Sequence, residues 1–97
     1  MDKSFKYALI FLLLLFGETA LSQSRTISGT VKDSFDRPLF GANILVEGTS
    51  QGTITDLSGF YQIEITSGET LVFSYVGFNS QRVTIGSNST IDVSLQP

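Results

Sequence analysis

The sequence predicts an all-β fold: an antiparallel sandwich of about seven short strands around one core. Three observations predict it. Thr, Val, Ile, Phe and Tyr dominate runs that alternate apolar and polar residues with period two. Clusters of Gly, Asp, Asn, Ser and Pro cut those runs short at close intervals. Beyond residue 22, no window carries apolar residues at helical spacing.

The first element is a leader. Lys3 and Lys6 make a short positive region, and the apolar run Tyr7 to Phe16 follows until Gly17 and Glu18 break it. Ala20 and Ser22 supply the small residues of a signal-peptidase site, so residues 1–22 are expected to be a signal peptide and Gln23 the new N-terminus. The run is far short of the ~20 residues that span a bilayer as a helix. No membrane span is therefore expected once the leader is gone, and no Cys follows the small residues to carry a lipid. Export without any Cys suits a bacterial envelope better than a disulfide-stapled extracellular module.

Residues 23–97 are expected to form one domain. Strands are expected near 25–32, 41–47, 59–65, 70–76, 80–85 and 90–95, with a short one at 53–55. Alternation points Ile27 and Val31 inward from the first, with Gly29 between them, and Ala42, Ile44 and Val46 from the second. Tyr61, Ile63 and Ile65 follow, then Leu71, Phe73 and Tyr75, then Val83 and Ile85, then Ile91, Val93 and Leu95. The opposite faces carry Ser28, Thr30, Lys32, Gln62, Glu64, Ser74, Arg82, Thr84, Asp92 and Ser94, the pattern of two sheets with solvated outer faces. The first strand, Arg25 to Lys32, is the expected sheet edge because it opens the domain.

Composition removes whole classes of function. There is no Cys and no His, which excludes thiolate chemistry, Ser-His-Asp catalysis and His-containing zinc sites. Formal charge is −3, with no basic patch for nucleic acid. Glu47 and Glu64 alternate outward and do not form a buried acid–base pair with Glu69. Asp56-x-x-Gly59 fails the spacing of a calcium loop, with or without Asp33 and Asp36. It reads instead as a turn in which Asp56 accepts backbone N–H groups and Gly59 takes positive φ. The glycines at 41, 48, 52 and 59 include no phosphate-cradling motif. Asn88-Ser89-Thr90 matches a glycosylation sequon but reads as a polar turn. No catalytic, cofactor or metal residue is expected. Phe35, Phe40, Phe60 and Phe78 fall in turns or on outward positions, and Phe78, Phe60 and Phe40 are the candidate partner contacts, with Phe78 foremost because the strand ends at Gly77.

A resemblance rests on an ordered set of segments. They are Ile27-Ser28-Gly29-Thr30-Val31-Lys32-Asp33, Pro38-Leu39-Phe40-Gly41-Ala42-Asn43-Ile44, Val46-Glu47-Gly48-Thr49, Gly52-Thr53-Ile54-Thr55-Asp56-Leu57-Ser58-Gly59-Phe60-Tyr61-Gln62-Ile63 and Leu71-Val72-Phe73-Ser74-Tyr75-Val76-Gly77-Phe78. Together they resemble the carboxypeptidase-D regulatory-like domain, and the last is similar to the copy that precedes the plug in SusC/RagA-type TonB-linked outer-membrane transporters. The resemblance covers 25–95 and implies a transthyretin-like (Ig-like) sandwich, no catalysis, and a place in the periplasm or at the outer membrane of a Gram-negative bacterium. The implied partner is an envelope protein such as a TonB-linked transporter or its lipoprotein partner. Those transporters continue into a plug and a barrel, so a chain ending at Pro97 is expected to be either freestanding or the N-terminal piece of a truncated transporter. Two alternatives stand beside this. One is an independent secreted carbohydrate- or protein-binding sandwich, weakened for sugars by the absence of Trp. The other is an accessory domain of a metallocarboxypeptidase, an enzyme whose zinc ligands include His.

Overall fold

A computed structural model describes residues 24–97, and the expected leader and its cleavage site lie outside the described residues. The seven strands are β1 (Ser24–Asp33), β2 (Asn43–Val46), β3 (Gly52–Ile54), β4 (Phe60–Thr66), β5 (Thr70–Ser74), β6 (Gln81–Thr84) and β7 (Val93–Leu95). They form two sheets, ordered β4-β1-β7 and β3-β2-β5-β6. No helix occurs among the described residues. The period-two patterns of β1, β2, β4 and β5 send every second residue into the space between the sheets, as alternation requires.

The core is the set that alternation selects. Ile27, Val31, Ala42, Ile44, Val46, Tyr61, Ile63, Ile65, Leu71, Phe73, Ile85, Val93 and Leu95 are buried, and Tyr75, Phe78, Val83 and Ile91 pack against them half-covered. Tyr61 and Phe73 join the two sheets edge to face, with ring centroids 5.4 Å apart. Leu39 is also buried, although it lies in a loop with no periodicity.

One expectation fails. β1 is not an edge strand: it is the central strand of its sheet, antiparallel to β4 from Ser24↔Thr66 to Thr30↔Phe60 and parallel to β7 from Val31↔Val93 to Asp33↔Leu95. The reason is packing. Ile27 and Val31 are wholly buried, and a strand carrying such residues gains most when both flanks are paired. The edges are β4 and β7 in one sheet and β3 and β6 in the other.

Gly29 sets the fit of β1 against the last segment. A Cβ there would lie 1.9 Å from the Ile91 carbonyl oxygen, so the chain at 91–92 passes directly over a bare backbone. The Tyr61 hydroxyl donates to that same carbonyl at 2.7 Å, and the Thr30 N–H donates to Asp92 Oδ1 at 2.9 Å. Burial, and then the charge of Asp92, push the Tyr61 phenol well above its ordinary 10.0, so it stays a donor.

Candidate functional site

The loops gather at two poles. β1 ends at Asp33, β2 starts at Asn43, β4 starts at Phe60, β5 ends at Ser74 and β7 ends at Leu95, and the registers put all five at one pole. Loops 34–42, 55–59 and 75–80 therefore share this pole with the last residues, and the Asn79 N–H donates to the Gln96 carbonyl at 2.8 Å.

Loops 34–42 and 55–59 are each organised by an aspartate at their start. The Asp33 carboxylate accepts the N–H groups of Phe35 and Arg37 and the Arg37 Nε, each at 2.9 Å. The Arg37 N–H foremost, then that of Phe35 and the Arg37 side chain, hold Asp33 below its ordinary 3.8 against the opposing effect of desolvation. Asp36 then takes positive φ to turn the chain, and the Arg37 guanidinium lies 5.2 Å above the Phe35 ring. Asp56 Oδ1 accepts the N–H groups of Ser58 and Phe60 at 2.9 and 3.0 Å, and Gly59 has φ +76°, the turn that the sequence implies.

Thr55 ties these loops together. Its buried hydroxyl accepts the Ala42 N–H at 2.9 Å and donates to the Leu39 carbonyl at 2.5 Å. That bridge tucks Leu39 inward and leaves Phe40 outward.

The pole is apolar on its outside. Phe35, Phe40, Leu57, Phe60 and Val76 are 75%, 56%, 79%, 42% and 94% exposed, and all lie in or next to these loops. Phe40 and Phe60 are thus available as contacts. Phe78 is half-buried: it folds back through a Gly77 turn onto the core and meets the Tyr75 ring at 5.7 Å. Sequence reasoning missed Leu57 and Val76. The visible signal was an apolar residue inside a turn cluster. A second apolar surface is a shallow trough of about 640 Å³ on the outer face of the four-stranded sheet, lined in part by Leu45, Gly52, Ile54 and Val72.

Among the described residues no group of three Asp, Glu, His or Cys side chains is placed to hold a metal, and no helix is long and apolar enough to cross a membrane. Arg82 pairs with Glu47 at 2.6 Å, and both are exposed.

Comparison with known proteins is consistent with this picture. Residues 27–97 match the family described as the CarboxypepD_reg-like domain. The chain is 40% identical over 97 residues to TonB-dependent receptor P3 of Formosa agariphila, covering 98% of this chain and 10% of that protein. It is 36% identical over 72 residues to TonB-dependent receptor SusC of Bacteroides thetaiotaomicron, covering 74% of this chain and 7% of that protein. The chain thus spans a tenth or less of the length of these relatives. Among solved structures, the C-terminal domain of the PapC usher aligns with a TM-score of 0.50 at 20% identity, over 75% of this chain and 100% of that one. A type II cohesin–X-dockerin complex from Acetivibrio cellulolyticus contains a chain that aligns with a TM-score of 0.54 at 19% identity, over 73% of this chain and 51% of that one. At such identities the likeness concerns the fold alone. With a seven-stranded sandwich over 24–97 and a family match over 27–97, the chain belongs to the CarboxypepD_reg-like domain family.

Proposed function

We propose that this domain is a non-catalytic interaction module of the Gram-negative envelope, acting in the periplasm as a piece of, or beside, a TonB-linked outer-membrane nutrient transporter. The observation that carries the reading is the similarity to TonB-dependent receptors along nearly the whole chain. The apolar pole supports it. A soluble domain gains nothing from exposing Phe35, Phe40, Leu57 and Val76 together, whereas a docking surface does. β1 is spent on its two neighbours, so a partner that adds a strand would do so at one of the edge strands β3, β4, β6 or β7.

Cross-linking in envelope extracts tests the reading. The full chain should recover an outer-membrane barrel or its lipoprotein partner, and Phe40→Ala with Phe60→Ala should weaken recovery without changing the melting temperature. Saturable binding of an oligosaccharide, with no envelope protein recovered, would transfer the role to a secreted carbohydrate-binding module.

A further inference from the structure

We propose that two copies of this domain join edge to edge at β6, in one continuous sheet. The two lateral sides of the sandwich are finished differently. On one side β3 lies against β4, and the outer edge of β4 is capped at its start, at its end and in between. Asp56 bonds the Phe60 N–H through its carboxylate and the Phe60 carbonyl through its own N–H, both at 3.0 Å. Gln51 Nε2 donates to the Glu64 carbonyl at 2.6 Å. The Glu69 carboxylate accepts the Thr66 N–H at 2.6 Å, and the Glu69 N–H donates to the Thr66 carbonyl at 3.2 Å. An edge closed in this way has little left to offer another strand.

The β6 side is open. The Ile85 N–H donates to the Glu69 carbonyl and the Gly68 N–H to the Ile85 carbonyl, so residue 85, and by alternation Val83 and Gln81, face β5. Arg82 and Thr84 therefore turn their backbone groups away from the sheet, and among the described residues no other group bonds them. β7, on the same side, offers less. It has three residues, and the Gln96 carbonyl just past it already accepts the Asn79 N–H. The core is also thinnest here. Its half-covered members are Tyr75, Phe78, Val83 and Ile91, and each lies on β6 or in a segment leading into β6 or β7. Open backbone groups beside half-covered apolar side chains are met by an extended polypeptide strand, not by a sugar or a lipid.

β6 itself fits that need. A two-fold axis through Val83 sets Arg82 opposite Thr84 of the second copy, and Thr84 opposite its Arg82. Each of these pairs exchanges two backbone bonds, and the two Val83 side chains meet on the inner face. The two four-stranded sheets become one of eight strands. Centring the axis on Arg82 would set like charges face to face. Centring it on Thr84 would bring in Gly86, whose carbonyl already accepts from Arg25. The Val83 register uses every open group. A domain with so small a core gains from such cover.

Sedimentation equilibrium on protein purified from the envelope after expression of the full chain decides it. The parent should show a reversible monomer–dimer equilibrium over about a hundredfold range of concentration. Thr84→Arg puts like charges opposite each other twice and should weaken the dimer about 2- to 30-fold, whereas Thr84→Glu puts opposite charges there and should tighten it by a similar factor. Leu57→Ser, at the apolar pole, should leave the dimer constant unchanged. A parent that stays monomeric throughout would overturn the proposal, and so would a dimer indifferent to the charge at residue 84. Should Thr84→Arg fail to fold, Thr84→Glu decides alone. The transporter reading rests on other observations, so a monomeric chain would leave it standing.

Discussion

Replacing Gly29 with Ala adds one methyl group and should disrupt the junction between β1 and the last segment. The added carbon would sit 1.9 Å from the Ile91 carbonyl oxygen and 2.6 Å from its carbon, both backbone atoms. Relief requires the 91–92 segment to retreat by roughly 1.5 Å, judged against ordinary contact distances. Such a shift stretches three bonds: Tyr61 hydroxyl to Ile91 carbonyl at 2.7 Å, Ile91 N–H to Ser28 carbonyl at 2.8 Å and Thr30 N–H to Asp92 at 2.9 Å. At about 1 kcal/mol each the loss is about 3 kcal/mol. The stiffer unfolded chain of the alanine variant returns about 0.4–1 kcal/mol. The net effect is a destabilisation of about 2–3 kcal/mol, which for a domain of this size is a drop in melting temperature of roughly 10–20 °C. Urea denaturation followed by far-UV circular dichroism measures it. A Gly29→Ala chain as stable as the parent would mean that the Ile91 carbonyl does not occupy that notch, and the packing argument would fail.

Three further outcomes follow from the loops. Gly59→Val should be worse than Phe60→Ala in chemical denaturation, because Gly59 has φ +76° and its Cβ would meet the Val31 carbonyl at 2.7 Å, whereas Phe60 is partly in solvent; the reverse order would shift β4 by one residue. Thr55→Val should cost about 2 kcal/mol by leaving the Ala42 N–H and the Leu39 carbonyl without their buried partner, and a neutral result in a thermal melt would remove Thr55 as the tie between the loops. Asp33 has a folded pKa below its ordinary 3.8, so its contribution is present above that value and is lost as pH falls through the folded one. The stability gap between the parent and Asp33→Asn should therefore be wide at about pH 7 and narrow at about pH 3, and a gap that does not change with pH would contradict it.

Much of the fold was legible because burial on one face leaves a period-two trace. Tyr61, Ile63 and Ile65 alternate with Gln62 and Glu64, and all three are buried. Pairing left no such trace. The neighbour of Val31 is Val93, and nothing local in either segment records a parallel contact between them, so position in the chain misplaced β1 at an edge. Loop packing was also silent. Leu39 and Thr55 are buried by a hydrogen-bonded bridge between segments rather than by any repeat. The Asp56 turn was readable because its chemistry is local, acting over four residues. The direction of Phe78 was not legible, because a glycine turn can send the next residue outward or fold it back, and here its ring meets Tyr75 and stays half-buried.

The central place of β1 also governs the order of events during synthesis. β2, β3, β5 and β6 lie between residues 43 and 84 and can pair while the remainder of the chain is still being made. The other sheet cannot close until residues 89–95 arrive to cover the flank of the strand that was made first. Contacts spanning that much sequence are slow to form, because the loop must be closed before any bond rewards it. Until then Ile27 and Val31 lack cover and β1 presents an open flank, a liability for a nascent chain in a crowded compartment. A copy cut short by even ten residues at its C-terminal end is therefore expected to remain open, and surveillance by proteases would discard it.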